Sequence, residues 1–137
     1  MSPRPFLSTA VILSLAACGE IPKPLKEAPP LTQSAACQVG GENVVGRPDR
    51  TPVATILMNN DGGWCWMMSS ENHWGTPYGP WLRVTRQPEY GTLQIDVLES
   101  QTRVAYRPNP GFVGTDGFQT ISRELAYEVN YRATVTK

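Results

Sequence analysis

Residues 88–118, PEYGTLQIDVLESQTRVAYRPNPGFVGTDGF, carry the pattern that decides the fold of this chain. Within them, Leu93, Ile95 and Val97 alternate with polar residues, which places the apolar side chains on one face of an extended strand. A second extended run follows over 102–107 after a short polar interval. The period of two therefore predicts β-strands with one buried face each, and not a helix.

The same pattern continues on both sides of this stretch. Short runs rich in Val, Ile, Thr and aromatic residues are separated by Gly, Pro, Asn and Asp, which are typical of turns. The predicted strands are 51–58, 64–68, 81–86, 92–98, 102–107, 117–122 and 126–136. Seven short strands over residues 37–137 predict a single all-β domain of the sandwich type.

Residues 88–118 also resemble the bacterial immunoglobulin-like and cadherin-like repeat family. The shared pattern is Pro-x-x-Gly-Thr, a strand, Tyr-x-Pro, and then Pro-Gly-Phe-x-Gly-Thr-Asp-x-Phe. The matching residues are Pro88, Gly91, Thr92, Tyr106, Pro108, Pro110, Gly111, Phe112, Gly114, Thr115, Asp116 and Phe118. The resemblance implies an immunoglobulin-like (Ig-like) Greek-key sandwich of about seven strands, in one copy. Gly117 departs from the family pattern, which usually has Ser or Thr there.

The motif has a structural interpretation and a metal interpretation. Gly111 and Gly114 permit turn conformations that a β-carbon resists, and Phe112 and Phe118 are suited to closing one end of the core. Asp116 is expected to accept hydrogen bonds from turn amides. Calcium binding is the alternative, but no acidic cluster at ligand spacing accompanies Asp116, so we predict no metal and no cofactor.

The amino-terminal residues 1–17 have the features of a signal peptide. Arg4 supplies positive charge, and residues 6–17 form an uncharged apolar run that is too short for a permanent membrane span. The run ends in Leu15-Ala16-Ala17-Cys18, which resembles the lipobox of bacterial lipoproteins. The resemblance implies cleavage before Cys18 and lipid attachment to its thiol. The alternative is an ordinary secretory signal that ends beside an unrelated cysteine.

The expected location follows from the lipobox. A lipid-modified Cys18 would hold the protein on the membrane, because several acyl chains give stable anchoring. Gly19, rather than Asp, stands after the cysteine, and the resemblance to known sorting patterns then favours the outer membrane, facing the periplasm or the surface. Residues 18–36 contain four prolines and few large apolar residues, which predicts a disordered, extended linker between the membrane and the domain.

The charge balance restricts the partners. The 12 basic and 12 acidic side chains cancel to a formal net charge of zero, which argues against a nucleic-acid-binding protein. The partners predicted instead are the membrane, through the lipid on Cys18, and an envelope protein.

Two further cysteines lie in the predicted domain. An oxidising periplasm favours a disulfide between Cys37 and Cys65, which would connect the start of the domain to its second predicted strand. The alternative is a reactive thiol at Cys65.

The best candidate binding residues are aromatic. Trp64, Trp66, Trp74 and Tyr78 lie within one stretch, and residues 69–80 have the composition of a long loop. Exposed aromatic loops on rigid scaffolds commonly bind partners, so these residues are candidates for contact with a protein or with a glycan such as peptidoglycan. The alternative is that the tryptophans fill or cover the sandwich core.

Catalysis has little support in the sequence. His73 is the only histidine, and Ser69 and Ser70 lie near it without the pattern that surrounds a catalytic nucleophile. The sequence therefore predicts a non-enzymatic envelope lipoprotein whose Ig-like domain mediates protein contacts or scaffolding, with glycan binding through residues 69–80 as the alternative.

Overall fold

The computed structural model of the protein describes residues 23–41, 51–69, 81–122 and 128–137. These residues form strands and no helices, which confirms the predicted all-β class. The strands are β1 (Gln38–Gly41), β2 (Val53–Asn59), β3 (Cys65–Ser69), β4 (Leu82–Arg86), β5 (Gly91–Val97), β6 (Thr102–Pro108), β7 (Gly114–Ser122) and β8 (Glu128–Thr136). The predicted runs, located by composition and by alternation, therefore correspond to every strand except β1, a short strand that contains two glycines.

The strands form two sheets. One has five strands in the order β1-β2-β8-β7-β4, and the other has three in the order β3-β6-β5. Strand β2 pairs with β8 in parallel, and the other pairings are antiparallel. The orders β3-β6-β5 and β4-β7-β8 correspond to the B-E-D and C-F-G orders of an immunoglobulin sandwich.

Aromatic side chains fill the space between the sheets. Phe118 is fully buried and stacks on Tyr131, with 4.4 Å between ring centroids, and on Tyr106, with 5.9 Å. The remaining members of the core are aliphatic or sulfur-containing: Ile56, Met58, Cys65, Val104, Ala133 and Val135. Because this core draws on both sheets, it fixes how they face each other.

A disulfide connects the two sheets. Cys37 lies directly before β1, and Cys65 is the first residue of β3; their sulfur atoms are 2.06 Å apart. The predicted pairing is therefore confirmed. Cys65 is fully buried in the core, so the bond lies at the edge of the packed interior.

The proline-rich segment differs from the expected disordered linker. In its described part, residues 23–36, the chain crosses the outer face of the β3-β6-β5 sheet, and we call this segment the strap. Leu25 pairs with Leu98 after β5, and Gln33 pairs with Trp64 before β3. Between these points, the side chain of Arg103 on β6 donates a hydrogen bond to the carbonyl of Pro29. The prediction of a free spacer is therefore wrong for the strap, because its backbone groups are bonded to the domain.

The strap explains the burial of β6 on both sides. Residues 102–106 are all buried, although alternation gives only every second one to the core. The outer residues of this run include Arg103, which is 5% exposed beneath the strap. A strand that the sequence predicted with one buried face therefore has two.

An irregularity in β4 changes which face one arginine occupies. Strict alternation would place Arg86 on the same face as Leu82 and Val84. The register with β7 shifts between Val84 and Arg86, which is a β-bulge, so Arg86 pairs with Gln119. Arg86 consequently lies on the outer face, together with Arg83.

No helix in the described residues has the length and apolar character needed to cross a membrane.

Candidate functional site

The two described tryptophans of the candidate binding set lie on the outer side of β3. Cys65 is fully buried and Met67 packs against the core, so the alternating residues Trp64 and Trp66 are directed outward. Both tryptophans are half-buried. They belong to the outer face of the three-stranded sheet, which we call the covered face because the strap lies on it.

Each of these tryptophans contacts an arginine of β6. The guanidinium carbon of Arg107 lies 4.6 Å from the ring centroid of Trp64, and that of Arg103 lies 5.7 Å from the ring centroid of Trp66. Both distances are within the range of cation–π interactions. One face of each ring is therefore already occupied by the protein's own guanidinium group, which leaves less aromatic surface for stacking on a sugar.

A buried ion pair lies beneath the strap. The Nη2 atom of Arg103 is 2.6 Å from Oδ2 of Asp96, its Nε is 2.9 Å from the same oxygen, and its Nη2 also donates to the Pro29 carbonyl at 2.6 Å. The amide of Gln94 donates to the Asp96 carboxylate at 3.2 Å. A buried charge needs such a complete set of partners, so the strap and this pair stabilise each other.

A second carboxylate clamps the carboxyl-terminal part of the strap. Asp61, in the turn after β2, accepts hydrogen bonds from the amides of Ala35 at 2.8 Å and Gly63 at 2.9 Å, and from the hydroxyl of Ser34 at 3.1 Å. These bonds, with Ala35 the largest cause and Gly63 next, lower the pKa of Asp61 from its usual 3.8. The clamp thus holds a segment that the sequence alone predicted to be free.

Asp116, from the family-like motif, is the centre of a hydrogen-bond network. One carboxylate oxygen accepts from the amides of Glu89 at 3.0 Å and Gly117 at 2.8 Å. The other accepts from the amide of Tyr90 at 2.9 Å and the hydroxyl of Tyr106, also at 2.9 Å. Burial, followed by the hydrogen bond to Asp116, raises the pKa of the Tyr106 hydroxyl well above its usual value. This geometry fits the structural interpretation of Asp116.

The rest of the motif shapes the turn between β6 and β7. Gly111 has φ of 80° and Gly114 has φ of 143°, so both adopt the conformations that favour glycine. Phe112 is half-buried and stacks on Tyr90 with 4.6 Å between ring centroids. The remaining motif residues divide by burial, with Pro108 and Phe118 buried and Thr115 exposed.

No three His, Cys, Asp or Glu side chains among the described residues are grouped so that they could hold a metal ion.

Several sequence-predicted site residues lie outside the described residues. These are the lipid-attachment residue Cys18, the loop residues Trp74 and Tyr78, and the single histidine, His73. The structure therefore brings Trp64 and Trp66 together on one face and does not bear on the other candidates.

A group of arginines that the sequence analysis did not select lies on the opposite side of the sandwich. Arg83 and Arg86 of β4 and Arg132 of β8 are directed outward from the five-stranded sheet, and all three are exposed. We call this surface the arginine face. The bulge in β4 brings Arg86 onto it, and no local sequence signal marks that bulge, so strict alternation would place Arg86 on the wrong side.

No protein-family model, curated protein or solved structure matches this chain.

Proposed function

We propose that this protein is a bacterial envelope lipoprotein, anchored through lipid on Cys18, whose Ig-like sandwich mediates contact with another envelope protein. The observation that carries the proposal is the docked strap. Only four residues lie between Cys18 and Lys23, the first described residue of the strap, and the five steps from one α-carbon to the other span roughly 18 Å at most. An anchor at Cys18 would therefore hold the sandwich close to the membrane.

The strap also supports a defined orientation. The amide of Leu25 bonds to the carbonyl of Val97 at 2.8 Å, at the end of the sandwich where β5 finishes and β6 starts. A lipid anchor a few residues before Leu25 would turn that end toward the membrane. The opposite end, which carries the stacked Tyr90 and Phe112, would then face away from the membrane, where a partner can reach it.

A binding role is consistent with the buried charged groups, which bond to other parts of the fold. The motif carboxylate Asp116 and the buried pair of Asp96 with Arg103 are committed to internal hydrogen bonds. Arg107 and Arg103 lie over the rings of Trp64 and Trp66, which disfavours glycan stacking on these two tryptophans, while Trp74 and Tyr78 lie outside the described residues. The proposal therefore includes no catalytic residue and no cofactor.

The anchor is tested by metabolic labelling with a palmitate analogue in cells that express the wild type or Cys18→Ser. The proposal expects label on the wild type, none on Cys18→Ser, and a shift of the variant from the membrane fraction to the soluble fraction. Cys37→Ser combined with Cys65→Ser is the matched control, because it removes both disulfide cysteines outside the lipobox and is expected to keep the label. Equal labelling of wild type and Cys18→Ser would refute the anchor.

The partner class is tested by chemical crosslinking in intact cells, followed by recovery of the protein and its adducts. Crosslinks to one or more envelope proteins are expected. Parallel binding assays with purified peptidoglycan and soluble glycans examine the alternative. Glycan binding without any protein adduct would replace protein contact by the glycan function.

A further inference from the structure

The strap is attached to the sandwich unevenly along its length. Among the described residues, its amino-terminal half, residues 23–31, is joined to the covered face by two hydrogen bonds. The amide of Leu25 donates to the carbonyl of Val97 at 2.8 Å. The side chain of Arg103 donates to the carbonyl of Pro29 at 2.6 Å. The prolines of this half have no amide hydrogen to donate, and all of its residues are exposed or half-buried. The amino-terminal half is therefore held by few contacts.

The carboxyl-terminal half, residues 32–36, is held more tightly at the start of β3. The amide of Trp64 donates to the carbonyl of Thr32 at 2.8 Å, and the amide of Ser34 donates to the carbonyl of Trp64 at 2.9 Å. The carboxylate of Asp61 accepts from the hydroxyl of Ser34 at the same place. These bonds form one compact attachment point for the whole strap.

The backbone of the strap approaches the sandwich so closely at this point that a glycine is required. A β-carbon at Gly63 would lie 2.5 Å from the amide nitrogen of Ser34 and 2.7 Å from its α-carbon. The φ of Gly63, unlike that of Gly62, is not in the left-handed region, so the turn itself does not require glycine there. A larger residue at position 63 would therefore exclude the docked strap and leave the turn without backbone strain.

The sandwich does not use the strap to form its hydrophobic core. No strap residue belongs to the buried apolar cluster or to the partly buried side chains packed against it. Ser34 is the one strap residue that is buried, and it is polar. Undocking would expose Arg103 and Asp96 together with their mutual hydrogen bonds, so it would leave no unpaired buried charge. Release of the strap thus breaks surface contacts and preserves the core, as in a local opening.

A docked strap and a released strap leave the sandwich at opposite ends. Leu25 is bonded at the end where β5 finishes. Cys37, which follows the strap, is bonded to Cys65 at the start of β3, nearer to the end that carries Tyr90. The disulfide is covalent and includes no strap residue, so it holds Cys37 in place whether or not the strap is docked.

We infer that the strap is a releasable attachment, which undocks from the covered face while the sandwich stays folded and which the disulfide limits at Cys37. Undocking is a property of the fold alone, whereas its effect on orientation rests on the proposed lipid anchor at Cys18. With the strap docked, the Leu25 end of the sandwich faces the membrane. With the strap released, the chain from Cys18 to Cys37 spans roughly 68 Å at most, so the sandwich can turn its other end toward the membrane.

Native-state hydrogen exchange of the purified full-length protein tests undocking without a membrane. The amides of Ser34 and Trp64 report on the strap, and amides in the middle of β7 and β8 report on the core. The strap amides should be at least about 100-fold less protected than the core amides. Ile56→Val weakens only the core, so it should lower the protection of the core amides about fivefold and leave Ser34 and Trp64 unchanged. Equal protection in the wild type, or equal losses in the variant, would mean that the strap opens only when the domain unfolds and would overturn the inference.

Gly63→Ala is the variant that should release the strap. Its β-carbon occupies the position of the Ser34 backbone, so the protection of the Ser34 amide should fall at least about tenfold while thermal unfolding stays cooperative. Gly40→Ala is the matched control, because a β-carbon there would meet only the side-chain oxygen of Thr55, and Ser34 should keep its protection. Wild-type protection of Ser34 in Gly63→Ala, or loss of cooperative unfolding in that variant, would refute a strap that detaches from an intact sandwich.

A spin label identifies the end at which the tether leaves the sandwich. Cys18 supplies the thiol in protein without lipid, because the other two cysteines form the disulfide. In the wild type the label should broaden the amide resonance of Leu98, and in Gly63→Ala the broadening should move toward Asn109 at the other end. The same pattern in both proteins would contradict the change of exit point.

The exchange experiment and the palmitate experiment separate this inference from the proposed function. If Cys18→Ser is labelled like the wild type while the strap amides open independently of the core, the anchor fails and the releasable strap remains. If the label requires Cys18 while the strap and core amides exchange together, the releasable strap fails and the anchored lipoprotein remains.

Discussion

Arg103 and Arg132 are both directed outward, one from each sheet, but they have different surroundings. Arg103 is 5% exposed, bound to Asp96, and covered by the strap. Arg132 is exposed and has no ion pair within the described residues. The difference comes from the strap, which crosses only the covered face.

The comparison shows how one sandwich can use its two outer faces for different purposes. A buried ion pair is maintained only when every polar atom has a partner, so Asp96 and Arg103 depend on Gln94 and on the strap. An exposed arginine has no such requirement and remains available to an external ligand. The covered face thus holds the amino-terminal segment, whereas the arginine face has no such cover within the described part of the chain.

The largest expected effect comes from removing the arginine of the covered face. Arg103→Ala leaves Asp96 buried without its partner and should lower the free energy of unfolding by about 3–5 kcal/mol. Arg132→Ala should change it by no more than about 0.5 kcal/mol, because that side chain is exposed. Urea unfolding followed by tryptophan fluorescence measures both. Similar losses for the two substitutions would contradict the contrast between the faces.

The disulfide gives the next largest effect, because it ties the end of the strap to the covered sheet. Replacing Cys37 and Cys65 by Ser should lower the free energy of unfolding by roughly 3–4 kcal/mol, from the entropy that the unfolded chain regains. The matched control is Cys18→Ser, which leaves the bond intact and should unfold like the wild type in the same urea experiment. Unchanged stability after loss of the bond would mean that the core alone holds the strap end in place.

A pH effect should be confined to the strap. Because the pKa of Asp61 is lowered in the folded protein, its contribution to stability is present above the usual value of 3.8 and is lost as the pH falls through the lowered folded pKa. The amide resonances of Ala35 and Gly63 should therefore shift between about pH 5 and pH 2. Asp61→Asn should remove this titration. Resonances that do not move in the wild type would show that the clamp is absent in solution.

The smallest expected effect concerns Arg107, an exposed residue of the covered face. Arg107→Ala removes the guanidinium from the ring of Trp64 and should lower the free energy of unfolding by about 0.5–1 kcal/mol. A double-mutant cycle with Trp64→Leu isolates the ring contact, and Arg83→Ala on the arginine face is the matched control. A coupling energy indistinguishable from zero would show that the stacking does not contribute.

The motif residues show what could be inferred from local sequence. The turn at Gly111 and Gly114 and the core position of Phe118 depend on backbone preferences and on period-two alternation within a few residues. Such short-range signals are readable without a structure. The acceptor role of Asp116 was also expected, although the identity of its distant donors, the amides of Glu89 and Tyr90 and the hydroxyl of Tyr106, depends on how the strands assemble.

The arginine face could not be predicted in the same way. Its formation depends on the bulge between Val84 and Arg86 and on the pairing of Gly117 with Arg132 across two strands. Both features involve residues that are distant in the sequence or a register that local composition does not determine. Gly117 was noticed as a departure from the family-like pattern, but only the structure shows that its missing side chain makes room for Arg86.

The sequence by itself determined the all-β class, nearly all of the strands, the disulfide and the main turn, because each follows from alternation, turn chemistry or the cysteine content. Tertiary structure alone decided which outer face is covered. The prolines of the strap specify an extended backbone but not the surface it lies on, and that surface exists only after β3, β5 and β6 assemble and present Trp64, Leu98 and Arg103 together. Long-range pairing therefore changed an expected linker into part of the domain and left the arginines of the other face uncovered by the described part of the chain.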